Sequence, residues 1–161
     1  MALVVGFALP AHAAAATTFA PNSDTSRPYQ RWIDRAGMPT PDVALTIRRG
    51  WCPDAIATAC TREGTTEVWL SRSGGSTKGW FSHELGHQFD YVELSERERQ
   101  GLTRRMGLAG PWVDRSLGSL SPHEMFAETY GVCLLGRSET EALPFAPQRF
   151  RRVCRFTAAS Y

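Results

Sequence analysis

Lys78-Gly79-Trp80-Phe81-Ser82-His83-Glu84-Leu85-Gly86-His87-Gln88-Phe89-Asp90-Tyr91 holds the pattern H-E-x-x-H, with His83 and His87 four positions apart. That spacing predicts a helix over about Lys78 to Tyr91, because residues four apart stand one above the other on a single helix face. Two neutral imidazoles so placed can converge on one ion, and zinc accepts histidine nitrogen at about 2.0–2.1 Å. Glu84, beside the first histidine, is in reach of a water at an open coordination position. Stepping about 100° per residue gathers Phe81, Leu85, Phe89 and Val92 into one apolar stripe. His83, His87 and Trp80 fall roughly opposite. The reading is a helix with its stripe in the core and its histidines turned toward a cleft.

A catalytic zinc usually has three protein ligands and a water, so a third ligand is expected. Downstream, Ser121-Pro122-His123-Glu124-Met125-Phe126-Ala127-Glu128-Thr129-Tyr130 opens a second helix, with Ser121 as cap and Pro122 at the first helical position, ending near Gly136. Glu124 and Glu128 share one face, so one can bind the metal while the other accepts a hydrogen bond from a liganding imidazole. Glu124 also completes an S-x-x-E capping box with Ser121. The ligand role is favoured for it, since zinc would otherwise lack a third group. His123 is another ligand candidate, more simply read as a surface histidine near a helix start. Asp90 offers support to a ring, or is an exposed residue near a helix end.

Working outward, Val43–Ile47 and Thr65–Ser71 read as strands, joined by a loop that carries Cys52 and Cys60. Ser73-Gly74-Gly75-Ser76 breaks the second strand. Ser95 and Glu98 form a capping-box signature for a helix over Glu96–Met106, with Gly107 as its stop. Pro111 and residues 116–120 read as a loop, Pro144 and Pro147 bound another, and 148–156 suits a last short helix. The fold class is α+β: a short N-terminal sheet, then the H-E-x-x-H helix, then a second ligand-bearing helix.

The chain length of 161 residues suits one domain, and the formal charge of +2 is too mild to point to nucleic acid or a membrane surface. A monomer is expected. Ala2–Leu9 is a short apolar run, and Ala11-His12-Ala13 has the form of a signal-peptidase site, although no Lys or Arg precedes the run. Residues 1–13 are therefore read as a signal peptide, 14–28 as a linker or flexible arm, and 29–161 as the domain. Export would place the chain outside the cell, where its four cysteines read as two disulfides. Cys52–Cys60 and Cys133–Cys154 are the favoured pairs, each closing a local segment. A four-cysteine zinc site is the weaker rival, because no C-x-x-C occurs.

His83-Glu84-Leu85-Gly86-His87-Gln88-Phe89-Asp90 together with Glu124-Met125-Phe126-Ala127-Glu128 resembles the gluzincins, the His-His-Glu zinc peptidases. It is similar to the zinc domain of lethal-factor-like bacterial toxins and to small secreted single-domain gluzincins, over roughly residues 65–135. The resemblance implies a small zincin-like domain with Zn2+ held by His83, His87 and Glu124. It implies Glu84 as general base, Glu128 as the support of a ligand, and a strand such as 66–71 beside the cleft, where an extended protein or peptide substrate pairs. Of the tyrosines, Tyr91 and Tyr130 are the candidates for stabilising an oxyanion, though each also reads as a packing or surface residue. The expected activity is endopeptidase hydrolysis by a metal-activated water. The alternative is a secreted domain of the same fold that binds a peptide without cutting it.

Overall fold

Thr18–Phe19 forms a first short strand, β1, inside the stretch expected to be a linker or flexible arm. The computed structural model describes residues 17–36, 38–53, 57–71, 77–135 and 147–160. β1 pairs in parallel with β2 (Ala44–Arg49). The Thr17 hydroxyl donates to the Pro41 carbonyl at 2.7 Å, and the Ala20 N–H to the Leu45 carbonyl at 2.8 Å. Polar composition concealed this strand, because two paired residues leave no alternation to read. Helix α1 (Arg27–Ile33) begins at the end of the same stretch, with Pro28 in its first turn and Tyr29 and Ile33 buried on one face.

The loop between the two expected strands carries a further strand, β3 (Ala59–Thr61), antiparallel to β4 (Glu67–Leu70). β2 and β4 run parallel, so the sheet order is β1-β2-β4-β3. Cys60 lies opposite Trp69, and its disulfide to Cys52 anchors the incoming loop to the sheet. This arrangement corrects the placement of 66–71 beside a cleft: β4 has a neighbour on each side, and β3 is the edge strand on that side of the sheet. Its place at the edge brings β3 against the helix that follows.

That helix, α2, spans Thr77–Glu93. α3 (Glu96–Met106) starts on the Ser95/Glu98 capping box and stops at Gly107, whose φ of 71° suits glycine. A 3-10 turn (Gly118–Leu120) leads into α4 (Pro122–Leu135), and α5 (Pro147–Ser160) closes the described chain. The second disulfide, Cys133–Cys154, ties α4 to α5. The described residues are thus mixed α+β, with five α-helices and a four-stranded sheet. The order is not strands first, since α1 separates β1 from β2. The signal-like segment 1–13, the break at Ser73–Ser76, the helix stop at Gly136 and the loop around Pro144 lie outside the described residues. Among the described residues no helix is long and apolar enough to cross a membrane.

The core joins Leu45, Ile47, Val68 and Leu70 of the sheet to Phe81, Leu85 and Phe89 of α2. Phe81 meets Tyr29 of α1 at a ring separation of 4.5 Å, and Phe89 meets Tyr130 of α4 at 5.1 Å. Val92, placed in the apolar stripe by its helical angle, is exposed, while Leu94 and Leu102 are buried in the core. Burial extends well beyond the stripe: Ser82 and Gln88 at its flanks, and Glu84, His87 and Asp90 farther round the helix, are all covered. A helix wheel of α2 alone could not show this, because α4 supplies much of the cover.

Candidate metal centre

Glycine sets the spacing of α2 and α4, the helices that carry His83, His87 and Glu124. A Cβ on Gly86 would stand 2.8 Å from the Ala127 Cα and 2.9 Å from the Ala127 carbonyl oxygen. On the facing helix, a Cβ on Gly131 would lie 3.2 Å from the Ser82 hydroxyl. With small residues at both points, α2 and α4 can approach closely, which sets Glu124 and Glu128 against the histidines. Glycine inside a helix costs about 1 kcal/mol relative to alanine, so Gly86 in mid-helix was the available sign of such a contact.

His83, His87 and Glu124 come together with one potential ligand atom from each, all within 4.8 Å of one another, and this group could hold a metal ion. His83 Nε2 lies 3.1 Å from His87 Nε2 and 3.2 Å from Glu124 Oε2. His87 Nε2 is 3.4 Å from the same carboxylate oxygen. The cluster opens to solvent on one side: the Glu124 side chain is 34% exposed and that of His83 22%, against 7% for His87. At the start of α4 the Glu124 N–H reaches the Ser121 hydroxyl at 3.4 Å, while the Ser121 N–H donates to the Gly118 carbonyl. Only half of the expected capping box therefore forms, and the Glu124 carboxylate is turned to the histidines instead.

Glu128 sits where a supporting carboxylate was expected, with Oε2 3.2 Å from His83 Nδ1. Its Oε1 is buried with no hydrogen-bond partner among the described residues, so its hydrogen bonding is directed at that ring. Glu84 is buried. Burial raises its carboxyl, and the Glu124 charge adds to this; the His83 charge and a hydrogen bond from the Thr61 backbone oppose it, leaving the group at about 7. Edge strand β3 thus reaches the site through Thr61. Gln88 fixes that strand to α2 by donating to the Thr61 hydroxyl and, at 3.0 Å, to the Thr65 carbonyl.

Burial pulls the His83 ring down, but hydrogen bonds to Glu124 and Glu128 and the nearby charge of Glu84 outweigh it and hold the ring well above its ordinary value. His87 is governed by burial and by its histidine neighbours, which outweigh Glu124 and bring it down to about 4. Burial would raise Glu124, yet hydrogen bonds from the two histidines keep its carboxyl far below the usual range.

Two expectations from the sequence are corrected. His123 is not a surface histidine; it is 9% exposed, with Nε2 2.9 Å from His87 Nδ1. Asp90 is not an exposed helix-end residue; it is 1% exposed and accepts from Arg99 Nε at 2.7 Å and Trp112 Nε1 at 2.8 Å. Both contact the segment around Trp112, whose position no local pattern announces. Tyr130 packs in the core and donates its hydroxyl to the Pro39 carbonyl at 2.7 Å. Tyr91 borders the site, stacked on His87 at a ring separation of 6.2 Å. No family model matches this chain, and no curated protein or solved structure matches it.

Proposed function

We propose that the chain is a secreted zinc endopeptidase of the zincin type, with His83, His87 and Glu124 as ligands and Glu84 as general base. The observation that carries this reading is the mutual spacing of the three ligand atoms. Ligands at about 2.0–2.1 Å around a tetrahedral ion stand about 3.3–3.4 Å apart. The three separations here are 3.1, 3.2 and 3.4 Å. The donor set, two imidazoles and one carboxylate, suits zinc and leaves a fourth position for water. Glu128 on His83 Nδ1 supplies the outer hydrogen bond that orients a liganding ring. Secretion is supported by the signal-like residues 1–13 and by the two disulfides.

Zinc, when bound, lowers the pKa of a coordinated water and polarises the scissile carbonyl. Glu84 takes a proton from the attacking water and passes it to the leaving amine. The peptide C–N bond breaks, the acyl carbon gains the hydroxyl, and the amine gains the proton. Burial already raises the Glu84 carboxyl above the usual carboxylate range in the metal-free chain, the direction a proton carrier near neutral pH needs. Solvent access at Glu124 and His83 gives an extended peptide its approach, with β3 as the neighbouring sheet edge.

The test is zinc content and peptide cleavage of the oxidised protein beside Glu84→Gln. One zinc should be retained in both, with cleavage of casein or a peptide library falling by about 10²–10⁴-fold in the variant. Cleavage by the variant at the native rate would remove Glu84 from the mechanism. Zinc bound by a native protein that cuts nothing would leave a peptide-binding domain.

A further inference from the structure

His87 directs Nε2 at His83 and Glu124, and its other ring nitrogen, Nδ1, lies 2.9 Å from His123 Nε2. The two rings are 4.2 Å apart. His123 is fixed from behind. Its backbone N–H donates to the Trp112 carbonyl at 2.9 Å; its Nε2, the atom that faces His87, also stands 3.4 Å from Asp90 Oδ2. Asp90 is held in turn by Arg99 and the Trp112 indole.

Resting on the metal reading above, we propose that His123 is the positioning residue for His87, accepting the His87 Nδ1–H so that the Nε2 lone pair faces the metal. A histidine that binds through Nε2 keeps its proton on Nδ1, and a buried N–H needs an acceptor. His123 Nε2 is that acceptor, which places the His123 proton on Nδ1, toward Glu124 Oε1 at 3.7 Å. Asp90 competes weakly for His123 Nε2, because its oxygens already accept at 2.7 and 2.8 Å and the 3.4 Å separation is long for a hydrogen bond. In the opposite tautomer pair His123 donates to His87, and the His87 proton moves to Nε2, where it faces His83 and closes the site. The His87–His123 contact therefore selects between a metal-ready and a metal-blocked ring, and the Trp112 carbonyl, which accepts the His123 backbone N–H, holds His123 in place for it.

The test begins on the intact, oxidised chain labelled with 15N-histidine and loaded with zinc. Long-range proton–nitrogen spectra should show His87 protonated at Nδ1 and His123 unprotonated at Nε2. A proton on His123 Nε2 would overturn the inference. His123→Leu should bind zinc 10–100-fold more weakly and alter the visible spectrum of the cobalt-substituted protein. His123→Gln, whose amide oxygen can accept the same bond, should recover most of the affinity. Native affinity in the leucine variant, or equal weakness in both folded variants, would also overturn it. A native chain that takes up no zinc would overturn the metal reading itself, an outcome distinct from zinc bound without dependence on His123.

Discussion

His83 and His87 occupy one helix face a single turn apart, yet their surroundings are opposite. His83 stands at the solvent side between two carboxylates, Glu124 and Glu128, and its ring is drawn toward the protonated form. His87 is buried against a third histidine and is held neutral. The motif presents two equivalent histidines, whereas the fold makes one a proton holder and the other a ready lone pair. Burial and hydrogen-bond partners, not residue type, set that difference.

The comparison breaks most completely at Asp90. Asp90→Ala leaves Arg99 and the Trp112 indole without their buried acceptor and so loosens the segment whose carbonyl holds the His123 backbone N–H. Folded stability should fall by about 3–5 kcal/mol in urea unfolding. A loss under about 1 kcal/mol would mean that the His87 side needs no such anchor. On the His83 side, Glu128→Gln keeps the shape and removes the charge. Zinc affinity should fall 10–100-fold by chelator competition, with the fold intact. An unchanged affinity would show that Glu124 alone orients His83.

The smallest effect is a proton count. The raised His83 value means that its proton stabilises the metal-free fold below the ordinary histidine range, and this stabilisation is lost as pH rises toward about 10. Zinc must displace that proton, so loading at about pH 6, below the ionisation of a zinc-bound water, should release roughly one proton, and affinity should climb with pH. His87, already neutral above about 4, adds none. Calorimetry in buffers of different ionisation enthalpy reads this count, and zero release would make the two rings alike.

Much of the site was legible from spacing alone. H-E-x-x-H, Glu124 four residues before Glu128, and the Ser95/Glu98 box each carry a helical period or a cap, and the local cysteine pairs formed as expected. β1 and β3 were not legible, being only two and three residues long, and β1 is held by a strand far along the chain. His123 and Asp90 escaped for a related reason: the groups packed against them, Trp112, Arg99 and, for His123, His87 and Tyr91, include ones that no local pattern brings near.

The fit of Gly86 on Ala127 makes residue count, as much as residue identity, a condition of the site. That contact locks the phase of α4 only three positions beyond Glu124. One amino acid inserted between them would keep every candidate ligand in the chain, yet turn Glu124 by about 100° around its helix and move it about 1.5 Å along the axis. Divergence of this chain should therefore proceed by exchange along these two helices, with changes of length confined to the segments that join them.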